Sequence, residues 1–134
     1  MIGTAVGLYF RSIYCGAASF LAGVLIDIDH LFDYWREYGI KRFTVKRFYT
    51  CSYRARYDRL TLIFHSYELI IILWLMIGVF SLSNIWKAVA IGLTQHLLFD
   101  HFRNLFNGKL DRFGYFLTFR LKNRFKTDRI VKKR

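Results

Sequence analysis

Three long apolar runs, separated by charged stretches, organise this chain. The first covers 2–26 and is apolar throughout except for Arg11. It is rich in small residues (Gly3, Gly7, Gly16, Ala17, Ala18, Ala22, Gly23), which let helices approach closely in lipid. The second covers 60–80 and is most apolar from Leu69 to Phe80. After Ser81-Leu82-Ser83-Asn84, a short turn with an N-cap candidate at Ser83 or Asn84, the third covers 85–102. Each run is close to the ~20 residues that a helix needs to cross a bilayer. The pattern predicts an all-α fold, an integral membrane bundle of three transmembrane helices with basic amphipathic interfacial segments. A chain of 134 residues is one domain by length, so 1–134 is read as a single membrane domain.

Charge sharpens this picture. The net charge is +12, and the basic residues gather in a linker, 31–59, and a tail, 103–134; only Arg11 and Lys87 lie elsewhere. The positive-inside rule places linker and tail in the cytoplasm. Three spans then put the N-terminus and the Ser81–Asn84 turn outside, with the protein integral to the inner (cytoplasmic) membrane. On a continuous first helix Arg11 stands roughly 24 Å from Asp27 at ~1.5 Å per residue, near the outer interface, where it can snorkel. The linker interleaves its basics with Phe43, Phe48, Tyr49, Tyr53 and Tyr57, and 115–126 does the same. Nucleic acid could bind such a surface. Beside a membrane, aromatics at headgroup level and cations against anionic lipid headgroups are the favoured reading. Cys15 and Cys51 offer neither a disulfide framework nor a zinc-ribbon spacing.

The chemistry lies at the ends of the runs. All four histidines stand beside carboxylates, in Asp27-Ile28-Asp29-His30, His65-Ser66-Tyr67-Glu68 and His96-Leu97-Leu98-Phe99-Asp100-His101. The three-span topology brings all three clusters to the inner end of the bundle. His96 and Asp100, at i and i+4, share a helix face, as do His65 and Glu68 at i and i+3. Ionisable groups beside an apolar span are costly and mark functional sites. Imidazole with carboxylate is the donor set of a transition-metal centre. The candidate ligands are Asp27, Asp29, His30, His65, Glu68, His96, Asp100 and His101. They are enough for two or more divalent ions, with zinc favoured and manganese or iron also suited. Each residue also has a plainer reading: His101 as an interfacial histidine, Asp29 as a helix-ending carboxylate, Asp33 and Glu37 as partners of linker basics. Glu68, one turn into an apolar run, needs a partner or a proton. Ser66, Tyr67 and Gln95 stand beside the clusters as lining or as packing.

These residues carry a resemblance. Gly23-Val-Leu-Ile-Asp-Ile-Asp-His30, His65-Ser66 and Gly92-Leu-Thr-Gln-His-Leu-Leu-Phe-Asp100 resemble segments of the YdjM-type inner-membrane metal-dependent hydrolases. That family is itself similar to zinc-dependent phospholipase C and the P1-type nucleases, which are helical and cleave phosphate esters with zinc. The resemblance covers the three runs. It implies that Asp27, Asp29, His30, His65, His96 and Asp100 are metal ligands; Glu68 is added on the physical argument alone. The chain departs from the family at Ile26, where the family has proline, and at Phe64, where it has threonine. It also lacks a histidine that the family carries upstream of His65.

The functional expectation is a membrane-embedded hydrolase cleaving a phosphate ester of a lipid or lipid-linked substrate at the cytoplasmic face by metal-bound hydroxide. The alternative is a non-enzymatic protein, either one whose metal pins the helices together or a basic membrane adaptor. An ion carrier is weakened because no polar chain continues across the bilayer. Three helices can hardly shield so many polar ligands from lipid, so a homo-oligomer is expected.

Overall fold

The structure is a computed structural model that describes residues 2–53, 57–106 and 113–131. The basic residues Arg54, Arg56, Lys109, Arg112, Lys132, Lys133 and Arg134 lie outside the described residues. Helices are α1 (Ile2–Tyr9), α2 (Ile13–Leu25), α3 (Ile28–Tyr38), α4 (Val45–Tyr53), α5 (Tyr67–Val79), α6 (Asn84–Phe106), α7 (Leu117–Lys122) and α8 (Thr127–Ile130). A short 3-10 turn covers Ile40–Arg42. The described residues contain no strand beyond one isolated antiparallel bridge between Arg59 and Lys126. The fold is all-α. The chain divides into two compact units, Met1–Ile26 with Tyr67–His101 and Asp27–Ser66 with Phe102–Arg134.

In the first unit the expected helix over 2–26 is not continuous. It breaks at Arg11, whose φ of +50° belongs to the left-handed region. Ser12 restarts the chain as the N-cap of α2, its hydroxyl accepting from the Cys15 N–H at 3.3 Å. α1 then folds back antiparallel along α2. Glycines make the approach possible. A Cβ on Gly3 would stand 2.8 Å from the Gly16 carbonyl oxygen, and one on Gly7 3.3 Å from the Gly16 Cα. Val6, Cys15 and Ala88 are buried together as the core of this unit. Arg11 therefore sits at a hairpin turn, and an N-terminus across the bilayer from Asp100 loses the continuous helix it assumed. α5 is apolar on all sides and leaves Ile71, Ile72, Leu75, Met76 and Val79 exposed. A helix apolar all round is one surrounded by core or by lipid.

Among the described residues one helical stretch, Ile13–Tyr38, is long and apolar enough to cross a membrane; the apolar α5 is shorter. The predicted second run does not form a helix over its first seven residues, since α5 begins only at Tyr67. Helix α6 covers the third run and continues to Phe106. The expected amphipathic segment over 115–126 is helical only in α7.

The second unit explains why 60–66 stays non-helical. Asp29 and Asp33, at i and i+4, are both buried on one face of α3. Asp33 Oδ2 accepts the Thr61 N–H at 2.8 Å. Asp29 Oδ2 accepts the N–H of Phe64 and, at 3.2 Å, that of His65. Buried backbone donors need acceptors, and here two carboxylates supply them where a helix ladder does not. Further along, Leu60 N–H donates to the Phe125 carbonyl at 2.9 Å and Thr127 N–H to that of Asp58 at 3.1 Å. Asp33 also pairs with Arg36 at 3.0 Å, the linker pairing expected for it. Glu37 instead accepts the Asp58 N–H at 3.3 Å. Tyr34, Cys51, Tyr57, Leu60 and Leu62 form the core of this unit. Cys15 and Cys51 are buried free thiols, one in each unit, as their placement in the sequence predicted.

Tyr57 gives this core a pH signature. Its hydroxyl is 2.8 Å from Ser52 Oγ, and burial pushes its pKa up to about 12. An unfolded tyrosine ionises near pH 10. The folded state therefore holds the proton longer, and its advantage is complete below about pH 10 and lost as pH rises to about 12. Denaturant unfolding between pH 9 and 12 is expected to show a loss of roughly 2 kcal/mol in the parent chain that Tyr57→Phe does not share. Equal alkaline sensitivity in the two proteins would refute this.

Candidate metal centre

The N-terminus of α3 sets the first group of candidates. Asp27 is its N-cap residue and Asp29 its first-turn acid, so these carboxylates begin a helix of the second unit rather than end a first span. His65 lies in the non-helical 60–66 segment, before α5. It therefore shares no helix face with Glu68, contrary to the spacing argument. Its imidazole is almost fully buried and set between two carboxylates. Nε2 lies 3.5 Å from Asp27 Oδ1, and Nδ1 lies 3.4 Å from Asp29 Oδ2. The His30 ring meets the His65 ring edge-on, with centroids 5.0 Å apart.

The first unit holds the other candidates. His96 and Asp100 share a face of α6 as predicted, with Nε2 3.5 Å from Oδ2. Glu68 occupies the first turn of α5, where a carboxylate is favoured by the helix dipole. His101 lies against Tyr67, ring centroids 5.6 Å apart.

No family model, no curated protein and no solved structure matches the chain. The site therefore rests on its own chemistry.

Among the described residues, those that could hold a metal ion are Asp27 and His65 in the second unit and His96 and Asp100 in the first. Asp29, His30, Glu68 and His101 fall outside that group. Within each pair the donors are 3.5 Å apart. That is long for a hydrogen bond. It is close to the edge of a coordination tetrahedron, about 3.3 Å when each donor stands ~2.0–2.1 Å from the ion. One imidazole nitrogen with one carboxylate oxygen, the donors of each pair, suits zinc, manganese or iron.

Two anchoring residues of the second unit escape the sequence. Arg120, buried within the unit, donates from Nη2 to the His65 carbonyl at 3.0 Å and to Ser66 Oγ. Ser66 Oγ in turn donates to the Ile63 carbonyl at 2.6 Å. Asp33 anchors the other end at Thr61. Nothing marked Arg120 among the many basic residues of the tail; its flanks Phe119 and Leu121 are the only hint that it turns inward.

Two cavities of the first unit differ in chemistry. One of about 750 Å³ along α1 and α2 includes Arg11 but no histidine or carboxylate. A smaller one, about 280 Å³, is lined by Gln95, His96 and Asp100 together with apolar residues. The chemistry lies at the smaller one.

Proposed function

We propose that the chain is a membrane-bound, metal-dependent hydrolase of phosphate esters, with the pair Asp27 and His65 in the second unit and the pair His96 and Asp100 in the first as donors to divalent transition metal. The observation that carries this reading is that each pair holds an imidazole nitrogen and a carboxylate oxygen 3.5 Å apart, close enough for both to reach one ion. The resemblance of the same residues to the YdjM-type hydrolases points to the same chemistry. When bound, such an ion acidifies water and neutralises charge on phosphate oxygens. The chain's own residues orient the site. Asp29 faces His65 Nδ1, which aims Nε2 towards Asp27, and Arg120 fixes the backbone that carries His65.

The membrane part of the proposal rests on Ile13–Tyr38 and on the exposed apolar surface of α5. We take α5 and α6 as the further spans and place the basic stretches in the cytoplasm. In the first unit Arg11 and Lys87 balance Glu68 and Asp100, so the whole net charge of +12 falls on the second. That concentration suits anionic headgroups and draws an anionic substrate to the site. A lipid phosphate has its phosphate in water and its tail in lipid, as a site at this level requires.

The test is metal content per chain, by mass spectrometry on detergent-purified protein, followed by water-proton relaxation of the manganese-loaded form. Hydrolysis needs an ion with a water-accessible position. At least one ion per chain with exchangeable water supports the hydrolase. A bound ion without exchangeable water favours a metal that pins helices together. No ion after reconstitution with zinc or manganese leaves a basic membrane adaptor, the reading that the charge of the second unit favours.

A further inference from the structure

The smaller cavity of the first unit has a mixed lining. Gln95, His96 and Asp100 of α6 bring amide, imidazole and carboxylate groups to it, and Phe20, Val24 and Phe99 bring apolar side chains, with glycines from α1, α2 and α6 among them. Gly23 is the telling one. A Cβ there would meet only the Gly92 carbonyl oxygen, at an ordinary 3.6 Å, so a larger side chain can extend into the cavity. The volume of about 280 Å³ is roughly twice that of a 150 Å³ apolar cavity able to hold one benzene. One unbranched chain on the order of ten carbons fits that space, and a pair of long acyl chains does not.

We propose that this cavity is the tail subsite of the substrate, which is accordingly a phosphate ester with one short alkyl chain, the phosphate lying toward His96 and Asp100. The assignment rests on the phosphohydrolase reading for the phosphate end alone. The alkyl-chain assignment stands on volume and lining. Gly23 sets the length limit, since any side chain there shortens the space available to the alkyl chain.

The probe is a decylphosphonate carrying a diazirine on its chain, which cannot be hydrolysed, applied to the full-length protein in detergent. Crosslinks mapped by mass spectrometry are expected on Phe20, Val24 or Phe99. Competition by unlabelled n-alkylphosphonates from two to sixteen carbons is expected to strengthen about fourfold per methylene, then level off near ten carbons. Plain partition into detergent keeps rising with length, so a series without a plateau overturns the proposal, as do crosslinks confined to other residues. Gly23→Leu should move the plateau to shorter chains while metal content stays that of the parent protein. Should that variant fail to fold, the crosslink map and plateau of the parent chain decide alone. The two readings fail separately. Tail-dependent labelling without bound metal removes the hydrolase and keeps the subsite; bound metal without a plateau does the reverse.

Discussion

Gly92→Ala is expected to be the most damaging single-methyl substitution in the first unit. A Cβ at Gly92 would stand 2.1 Å from the Ser19 carbonyl oxygen and 2.9 Å from its carbonyl carbon. Both are backbone atoms of α2, so no side-chain rotation relieves the clash. The two helices must separate by roughly 1 Å, and a close-packed interface transmits such a shift to every neighbouring contact. Ser19 and Ala88 are buried in the same unit and would lose their packing together. Overpacking of this kind costs about 1–3 kcal/mol, and a backbone-on-backbone clash belongs at the upper end or beyond. Gly78→Ala is the control. Nothing lies within 4 Å of a Cβ there, and it sits in helix α5, where alanine is favoured over glycine by roughly 0.5–1 kcal/mol. Thermal unfolding in detergent should therefore separate the two variants in opposite directions. Equal midpoints would mean that α2 and α6 are not packed at Ser19 and Gly92.

That contact also shows what the sequence could reveal. Small residues in the first run were legible as a surface for close approach, because lipid-facing helices need them. Which helix they approach was not. Gly3, Gly7 and Gly16 proved to join two halves of what reads as one helix. The signal for the break was present in Arg11-Ser12, a charge followed by an N-cap residue inside an apolar run. A snorkelling arginine explained Arg11 equally well, and only the backbone reversal separates the two. The non-helical segment 60–66 was less legible still. Its composition suits a helix, and the acceptors that hold it open, Asp29 and Asp33, come from a distant part of the chain. The histidine–carboxylate pairs were the most legible part of the site, because the cost of placing ionisable groups beside apolar runs leaves few other reasons for them. His96 with Asp100 follows from helical spacing alone. Asp27 with His65 required the fold of the second unit.

Asp29 is where the sequence and the geometry assign different roles, and substitution separates them. Read from the motif it is a metal ligand. In the structure its Oδ2 accepts from two backbone N–H groups and faces His65 Nδ1, which makes it a residue that orients a ligand. Asp29→Asn keeps a side-chain oxygen for the backbone donors but removes the charge that holds the imidazole. If Asp29 orients, metal affinity should fall about 10–100-fold, the usual cost of losing such a carboxylate, with the ion count per chain unchanged at saturating metal. If Asp29 ligates, the ion it holds should disappear at any attainable concentration. Asp100→Ala and Asp27→Ala supply the reference, since each removes a direct donor and is expected to abolish tight binding and turnover together. Asp29→Ala goes further than either. It strips the acceptor from the Phe64 and His65 N–H groups, at about 1–3 kcal/mol for the buried His65 donor left unsatisfied, and should destabilise the second unit even without metal. A titration with zinc, read alongside unfolding of the metal-free protein, thus distinguishes the roles. Loss of affinity in Asp29→Asn with stability retained, and loss of both in Asp29→Ala, is the result that orientation requires. Parent-like affinity in Asp29→Asn would show that the carboxylate charge facing His65 does nothing for the metal, and that Asp29 serves the backbone alone.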